Sequence, residues 1–436
     1  MRARAPRLLT RLGLALGMAC LRQGAAAYPT DSGERTGIRR LSWQAQVDRG
    51  ETRGVKNPPG GRWGEDRIRL RLLSSGARFR LSEDSPKDPV LQKGLTDILK
   101  RGGWESYGAA IVDISDPEAP RYAAVNELKR QIPGSTAKVL AAAGMLEALR
   151  SLYPDDIAAR ERALRTIRVP ADSWAMPNSH DVPILTAEGM SMRPIRPGDV
   201  FSLWEWLDHA LSPSSNAAGT MVWREAALLR LLGREYPPAA WDGKLFARWS
   251  RQDFTKAAFD AVDAPQAGAG LDTDLLRIRT FFTAGASRHI LSSSSVGTPL
   301  GLAQWLLSME QGRIVDPWSS LELKRLLYVT RRRIRSAAAP ELAECAVYFK
   351  SGSLYKCRPE EGFVCKKYMG NDQNLLNSLA LVEVPSAEPD EGGRHRISGA
   401  YIVAVTSNVL KRNSADDHAR LAGAIHRLLT GRQKKK

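Results

Sequence analysis

The chain has 436 residues, 43% of them apolar, enough for one large domain or two with a substantial core. Its formal net charge of +17 suits anionic partners. No zinc-finger spacing, aromatic-basic strand signature or long basic helix accompanies that charge, so nucleic acid is excluded as the expected partner.

Arg2, Arg4, Arg7 and Arg11 precede a short apolar run, Leu12 to Ala19, and Gly24 to Ala27 supplies small residues before Tyr28. This is the pattern of a signal peptide over 1–27, cleaved near Ala27. It predicts a secreted or periplasmic protein. The run is too short to span a bilayer, and the mature chain has no transmembrane candidate. Cys20 follows Gly17-Met18-Ala19, a poor signal for lipidation.

Residues 28–87 read as a basic N-terminal extension. Within it, Arg67 to Leu72 and Ala77 to Leu81 alternate basic and apolar residues around Ser74-Ser75-Gly76, which predicts a solvated surface hairpin. Such a ribbon could also meet peptidoglycan or another anionic envelope polymer. Leu91 to Leu99 predicts an amphipathic helix closed by Gly102-Gly103, and Tyr107–Ile114 and Tyr122–Asn126 predict two strands. The region 135–339 is mainly helical by pattern, with helices at Ser202–Ala210, Ala217–Leu232 and Pro299–Met309. The Pro- and Gly-rich stretch 237–270 reads as irregular. Strands return at Cys345–Lys350, Ser378–Val384 and Ile397–Thr406, and Asp416–Leu429 is a closing helix between Ser414 and Gly431. A basic tail, 431–436, follows. The expected fold class is α+β: an antiparallel sheet built from both chain ends (88–134 and 340–430), flanking helices, and an inserted all-helical subdomain.

Cys357 and Cys365 lie close together across a polar loop and are the expected disulfide; Cys345, in an apolar strand, is the expected buried thiol.

Three short motifs carry chemistry. In Pro133-Gly134-Ser135-Thr136-Ala137-Lys138, a serine and a lysine three apart open an apolar helix. That spacing puts both on one helix face, where a buried lysine of lowered pKa can take the serine proton. In Leu211-Ser212-Pro213-Ser214-Ser215-Asn216, a polar loop between helices presents a hydroxyl and an amide, fit for a proton relay and a substrate donor. In Tyr348-Phe349-Lys350-Ser351-Gly352-Ser353, a lysine at a strand end offers charge for a carboxylate, and Gly352 admits a close backbone.

The order S-x-x-K, S-x-N, K-S-G resembles the motif set of the serine β-lactamase and penicillin-binding protein superfamily, in its class A β-lactamase-like branch, over roughly residues 90–430. Ser214-Ser215-Asn216-Ala217-Ala218 resembles the family's S-D-N-x-A-A with serine for aspartate. Thr298-Pro299-Leu300 and Arg333-Ile334-Arg335 are similar to its later landmarks. The resemblance implies an acyl-enzyme on Ser135, Lys138 as proton acceptor, Ser214 as relay to the leaving nitrogen, and Asn216 as binder of the substrate amide. Lys350, Ser351 and Ser353 would hold a carboxylate beside Gly352, with the N–H groups of Ser135 and Ser353 as oxyanion hole. It implies a β-lactam or an acyl-D-Ala-D-Ala peptide as substrate, and no metal or organic cofactor.

One departure matters. The family's E-x-x-L-N motif, whose glutamate activates the deacylating water, is not found in 217–349. Glu225, Glu235, Asp242, Asp253, Asp260, Asp263, Asp272 and Asp274 are the carboxylates available there, each without its context. The segment 233–297 is therefore expected to form a lid or to supply an unusual base. The reading is a β-lactamase-related serine hydrolase, with two alternatives: a D,D-peptidase of penicillin-binding type, and a non-hydrolytic binding protein on the same fold.

Overall fold

The computed structural model describes residues 32–55, 63–74, 78–389 and 395–431. The expected signal peptide with its cleavage site and Cys20, the Ser75-Gly76 turn and the tail beyond Gly431 lie outside the described residues.

The first long elements prepare one face of a sheet. Helix α1 spans Arg39–Arg49 and helix α2 spans Pro89–Gly102. Asp88 caps α2 by accepting from the Leu91 N–H at 2.7 Å, and Gly103 ends it in the left-handed conformation. Its buried Leu91, Leu95, Ile98 and Leu99 form one stripe. Strands β1 (Gly108–Asp113) and β2 (Arg121–Val125) follow, then helix α3 (Lys138–Leu152), helix α4 (Leu203–Leu211) and helix α5 (Asn216–Leu232). Helix α6 is Arg251–Gly268, α7 is Pro299–Glu310 and α8 is Pro317–Tyr328. The chain then returns to the sheet as β3 (Ala346–Lys356), β4 (Gln373–Pro389) and β5 (His395–Asn408), and closes with α9 (Ser414–Thr430).

The five strands form one antiparallel sheet in the order β2-β1-β5-β4-β3. Ile111 faces Ala123 on one side and Val403 on the other, and Leu379 pairs with Lys350. The pleat splits the side chains between two cores. Ala110 and Val112 join the large core shared with the helical part; Ala109 and Ile111 join a second core under α2 and α9. Both ends of the chain therefore build the sheet, as expected, and β3 is left as an edge strand.

Four expectations need correction. The described residues of 67–72 and 78–81 form no hairpin. Ile68 and Leu72 are fully buried, and the backbone there bonds to the core instead: Arg71 N–H to Glu310 Oε2 at 2.9 Å, Leu72 N–H to Glu310 O at 3.1 Å, and Lys324 Nζ to Arg69 O at 2.6 Å. The described part of the extension is packed structure, not a solvated ribbon. Its arginines serve inward too. Arg40 forks onto buried Asp208 with two bonds of 2.6 Å, and Arg35 reaches Glu161 and Glu322.

Second, the stretch 237–270 is not irregular, because α6 occupies 18 residues of it. Ser250 and Asp253 form a capping box, Phe254, Ala257, Ala258, Ala261 and Val262 make the buried face, and Pro265 sits near the C-terminal end. Third, the middle is not all helical: three two-stranded ribbons lie in it, the longest pairing Asp181–Thr186 with Gly189–Pro194. Fourth, Asn413, not Ser414, caps the last helix. Cys357 and Cys365 are bonded, and Cys345 is free and buried, as expected.

Candidate active site

The nucleophile candidate is held between a helix start and the edge strand. Gly134–Ala137 is a 3₁₀ turn, so Ser135 precedes α3 and Lys138 is its first residue. That turn lies directly on β3. A Cβ at Gly352 would come 2.1 Å from Pro133 O and 3.0 Å from Ser135 N, so only glycine admits this contact. Asn377 of β4 secures the same turn, donating Nδ2 to Ile132 O and Pro133 O, both at 3.1 Å. Arg335, buried and in the left-handed conformation, donates Nη1 to Gly352 O at 2.5 Å and Asn377 O at 2.7 Å. The N–H groups of Ser135 and Ser353 both border the Gly134–Gly352 contact.

Lys138 is fully buried, with three oxygens around Nζ: Ser135 Oγ at 3.0 Å, Ser214 O at 2.6 Å and Asn216 Oδ1 at 2.8 Å. Burial, and then the charges of Lys350 and Arg332, hold its pKa well below the ordinary lysine value. A neutral amine has two N–H donors and one lone pair. The carbonyl and the amide oxygen can take only the donors, so the lone pair is left for the Ser135 hydroxyl proton. Gly219 makes room for this lysine, since a Cβ there would meet Lys138 Cε at 2.8 Å.

The second motif is shaped by Ser214, whose φ of 66° turns its carbonyl to Lys138. Ser215 caps α5 through the Ala218 N–H at 3.2 Å. The third motif meets it across the cleft. Lys350 Nζ donates to Ser214 Oγ at 2.7 Å and to Ser351 O at 3.0 Å. Burial and the charges of Arg332 and Arg335 keep the Lys350 pKa well below its ordinary value. Ser135, Lys138, Ser214, Asn216 and Lys350 thus form one hydrogen-bonded set. Ser353 lines the cleft with Ser135 and Asn216. Ser351 is buried beside them and pairs with Ser378 of β4.

The eight candidate carboxylates are all engaged elsewhere. Glu225 is buried and accepts from Arg224, Tyr236 OH at 2.7 Å and Trp241 Nε1 at 2.9 Å. Glu235 pairs with Arg248, Asp260 with Lys256, Asp263 with Arg279 and Asp274 with Arg277. Asp242 and Asp253 serve helix starts, and Asp272 accepts from the Asp274 N–H. The side chain facing Lys138 is instead Phe282, whose ring centroid lies 5.0 Å from Nζ. The segment 233–297 therefore gives the cleft a wall, including Ile278, Phe282 and Ser294, rather than a base.

Several residues here have no sequence signal of their own. Phe282, Asn377 and Arg332 come from three separate parts of the chain. His180 is another: burial and the charges of Lys138, Arg332, Lys350 and Lys367 push its pKa down to about 3, so it is neutral near neutral pH.

No family model matches the sequence, and no curated relative does either. Solved structures do match. A class A β-lactamase representative from Bacteroides cellulosilyticus superposes with a TM-score of 0.51 at 14% identity, covering 80% of this chain and 100% of its own. The β-lactamase of Sphaerobacter thermophilus gives 0.50 at 17% identity, covering 78% and 97%. The fold is that of the class A β-lactamases. Within the β-lactamase fold, identity this low carries architecture and not activity. The chemistry rests on the side chains just described. No helix of the described residues is long and apolar enough to cross a membrane.

Proposed function

We propose that this chain is a serine acyl-transfer enzyme of penicillin-binding type, exported to an oxidising compartment, that forms an acyl-enzyme on Ser135 and releases it slowly. Its substrate is a β-lactam or an acyl-D-Ala-D-Ala-like amide. The observation carrying this reading is the Lys138 amine, 3.0 Å from Ser135 Oγ, in a site to which none of the eight candidate carboxylates belongs.

In the proposed sequence, Ser135 Oγ attacks the carbonyl carbon while its proton passes to neutral Lys138 Nζ. The C–O bond forms, and the carbonyl π pair becomes an oxyanion facing the Ser135 and Ser353 N–H groups. As that pair returns, the C–N bond breaks. The leaving nitrogen takes the Ser214 Oγ proton, which Lys350 Nζ, 2.7 Å away, can replace. Release needs a water in place of the serine oxygen, and among the described residues no carboxylate stands beside Lys138 to take that water's proton. Fast acylation and slow hydrolysis follow. The Cys357–Cys365 disulfide supports an exported location.

The test is labelling with a fluorescent penicillin. Wild-type protein should carry the label through denaturing electrophoresis and Ser135→Ala should not. Equal labelling of both, or of neither, contradicts the proposal.

A further inference from the structure

The cleft is electrically divided, and the division points to a substrate. It rests on the acyl-enzyme reading in one respect: if Ser214 delivers the proton to the leaving nitrogen, the leaving group lies on the Ser214–Lys350 side and the acyl arm on the other.

A groove of about 560 Å³ borders Ser135, Asn216 and Ser353, and the acyl arm would lie along it. Ile278, Phe282 and Leu354 supply apolar wall, and Ser294 and Asn216 supply neutral polar groups. None of the side chains lining it is charged.

The other side holds the basic side chains. Among the described residues, Lys350 Nζ donates to Ser214 Oγ and Ser351 O, neither of them charged. Arg332 is tied to the Ser214 loop by its N–H to Ser212 O at 3.2 Å, and its charge bears on Lys138, Lys350 and Arg335. Arg335 and Lys367 share one aromatic support: the Arg335 guanidinium lies 5.0 Å and the Lys367 amine 5.3 Å from the centre of the Tyr368 ring. Lys367 and Tyr368 follow closely on Cys365, whose bond to Cys357 ties that segment to the end of β3. Among the described residues no carboxylate pairs with Lys138, Arg332, Arg335, Lys350 or Lys367. His180 stands among these charges as a neutral imidazole and offsets none of them.

One substrate carboxylate would answer Lys350. It would leave half-buried Arg332 and buried Arg335 without a counter-charge, a costly arrangement for cations partly out of water, and the exposed Lys367 amine would add to the same unanswered charge. We infer that the substrate has an uncharged, apolar acyl arm and a leaving amine carrying at least two negative charges, the second read by Arg332 and Lys367.

Titration calorimetry on Ser135→Ala protein at low salt tests this without turnover. The probes are N-phenylacetyl-D-Ala-D-Ala, N-phenylacetyl-D-Ala-D-Glu, and the D-Glu peptide with a carboxylate on the phenyl ring. The D-Glu peptide should bind about tenfold tighter than the D-Ala peptide. That preference should shrink in high salt and in the added Lys367→Ala variant, and the ring carboxylate should weaken binding. Because the readout is a ratio, a general loss of affinity in the variant cancels. Equal affinities, a D-Ala preference, indifference to the ring carboxylate, or no measurable binding of any probe overturns the inference. Penicillin labelling of wild-type Ser135 is scored separately. Preference without labelling refutes the acyl-enzyme reading alone, and labelling without preference refutes this inference alone.

Discussion

The Lys138 amine faces the Phe282 ring, with the ring centroid 5.0 Å from Nζ. An aromatic ring accepts a nearby cation but cannot take a proton from water. Phe282→Glu should therefore add the missing base. Loss of the penicillin adduct should speed up by at least about tenfold, at the lower end of what a positioned base contributes. Phe282→Gln separates packing from basicity and should not speed it. An unchanged adduct lifetime in folded Phe282→Glu protein would count against the proposed cause of slow release.

The same lysine sets a pH dependence. Acylation uses the neutral amine, and burial lowers the pKa at which that form appears. The rate should therefore rise with pH through an apparent pKa well below the ordinary lysine value, and level off above it. Stopped-flow acylation across pH reads this directly. A rising limb near the ordinary lysine pKa would contradict it. Lys138→Met should slow acylation by about 10²–10⁴-fold.

The N-terminal extension should be needed for stability. Arg40 and Asp208 are both buried and joined by two short bonds. Arg40→Met leaves Asp208 as a buried, uncompensated charge, which costs about 3–5 kcal/mol. Denaturant unfolding should show that loss, and the double variant Arg40→Met/Asp208→Leu should recover much of it. A neutral Arg40→Met would refute the clamp.

Acid should unfold the protein through buried imidazoles. His418 lies between Ser378 Oγ and Ser407 Oγ, 2.9 Å from each, and burial pushes its pKa down to about 3; His209 is pushed to about 4. The unfolded imidazoles take protons near pH 6.5, before the folded ones do. The unfolded chain thus binds more protons between pH 6.5 and those lower values, so stability falls as pH falls through that window. Each group contributes at most about 1.4 kcal/mol per pH unit. Melting midpoints should drop steadily below pH 6.5, and His418→Gln should flatten the slope. A midpoint unchanged down to pH 4 would contradict this.

The sequence made some of this legible and hid the rest for physical reasons. Ser135, Lys138, Ser214, Asn216 and Lys350 sit in short local patterns, and the fold brings the five into one hydrogen-bonded set. The strands at both chain ends were visible because alternating apolar residues record a pleat. Proline and glycine content obscures helix α6 in the sequence, although the Ser250–Asp253 capping box and the spacing of Phe254, Ala257, Ala258, Ala261 and Val262 mark it. The extension is obscured for a different reason. Basic-apolar alternation around Ile68 and Leu72 says that one side is buried, but not that Glu310 and Lys324, far along the chain, receive its backbone. Asn377 and Phe282 act only through long-range packing, which no local pattern records.

The most direct test of the central claim is the lifetime of the Ser135 adduct, followed by intact-mass spectrometry after a short exposure to benzylpenicillin. One added penicillin mass is expected, absent in Ser135→Ala, forming within seconds to minutes and persisting long after free drug is removed. A transient adduct with rapid release of hydrolysed penicillin would mean that another group activates the water. No adduct at all would contradict the acyl-enzyme account itself.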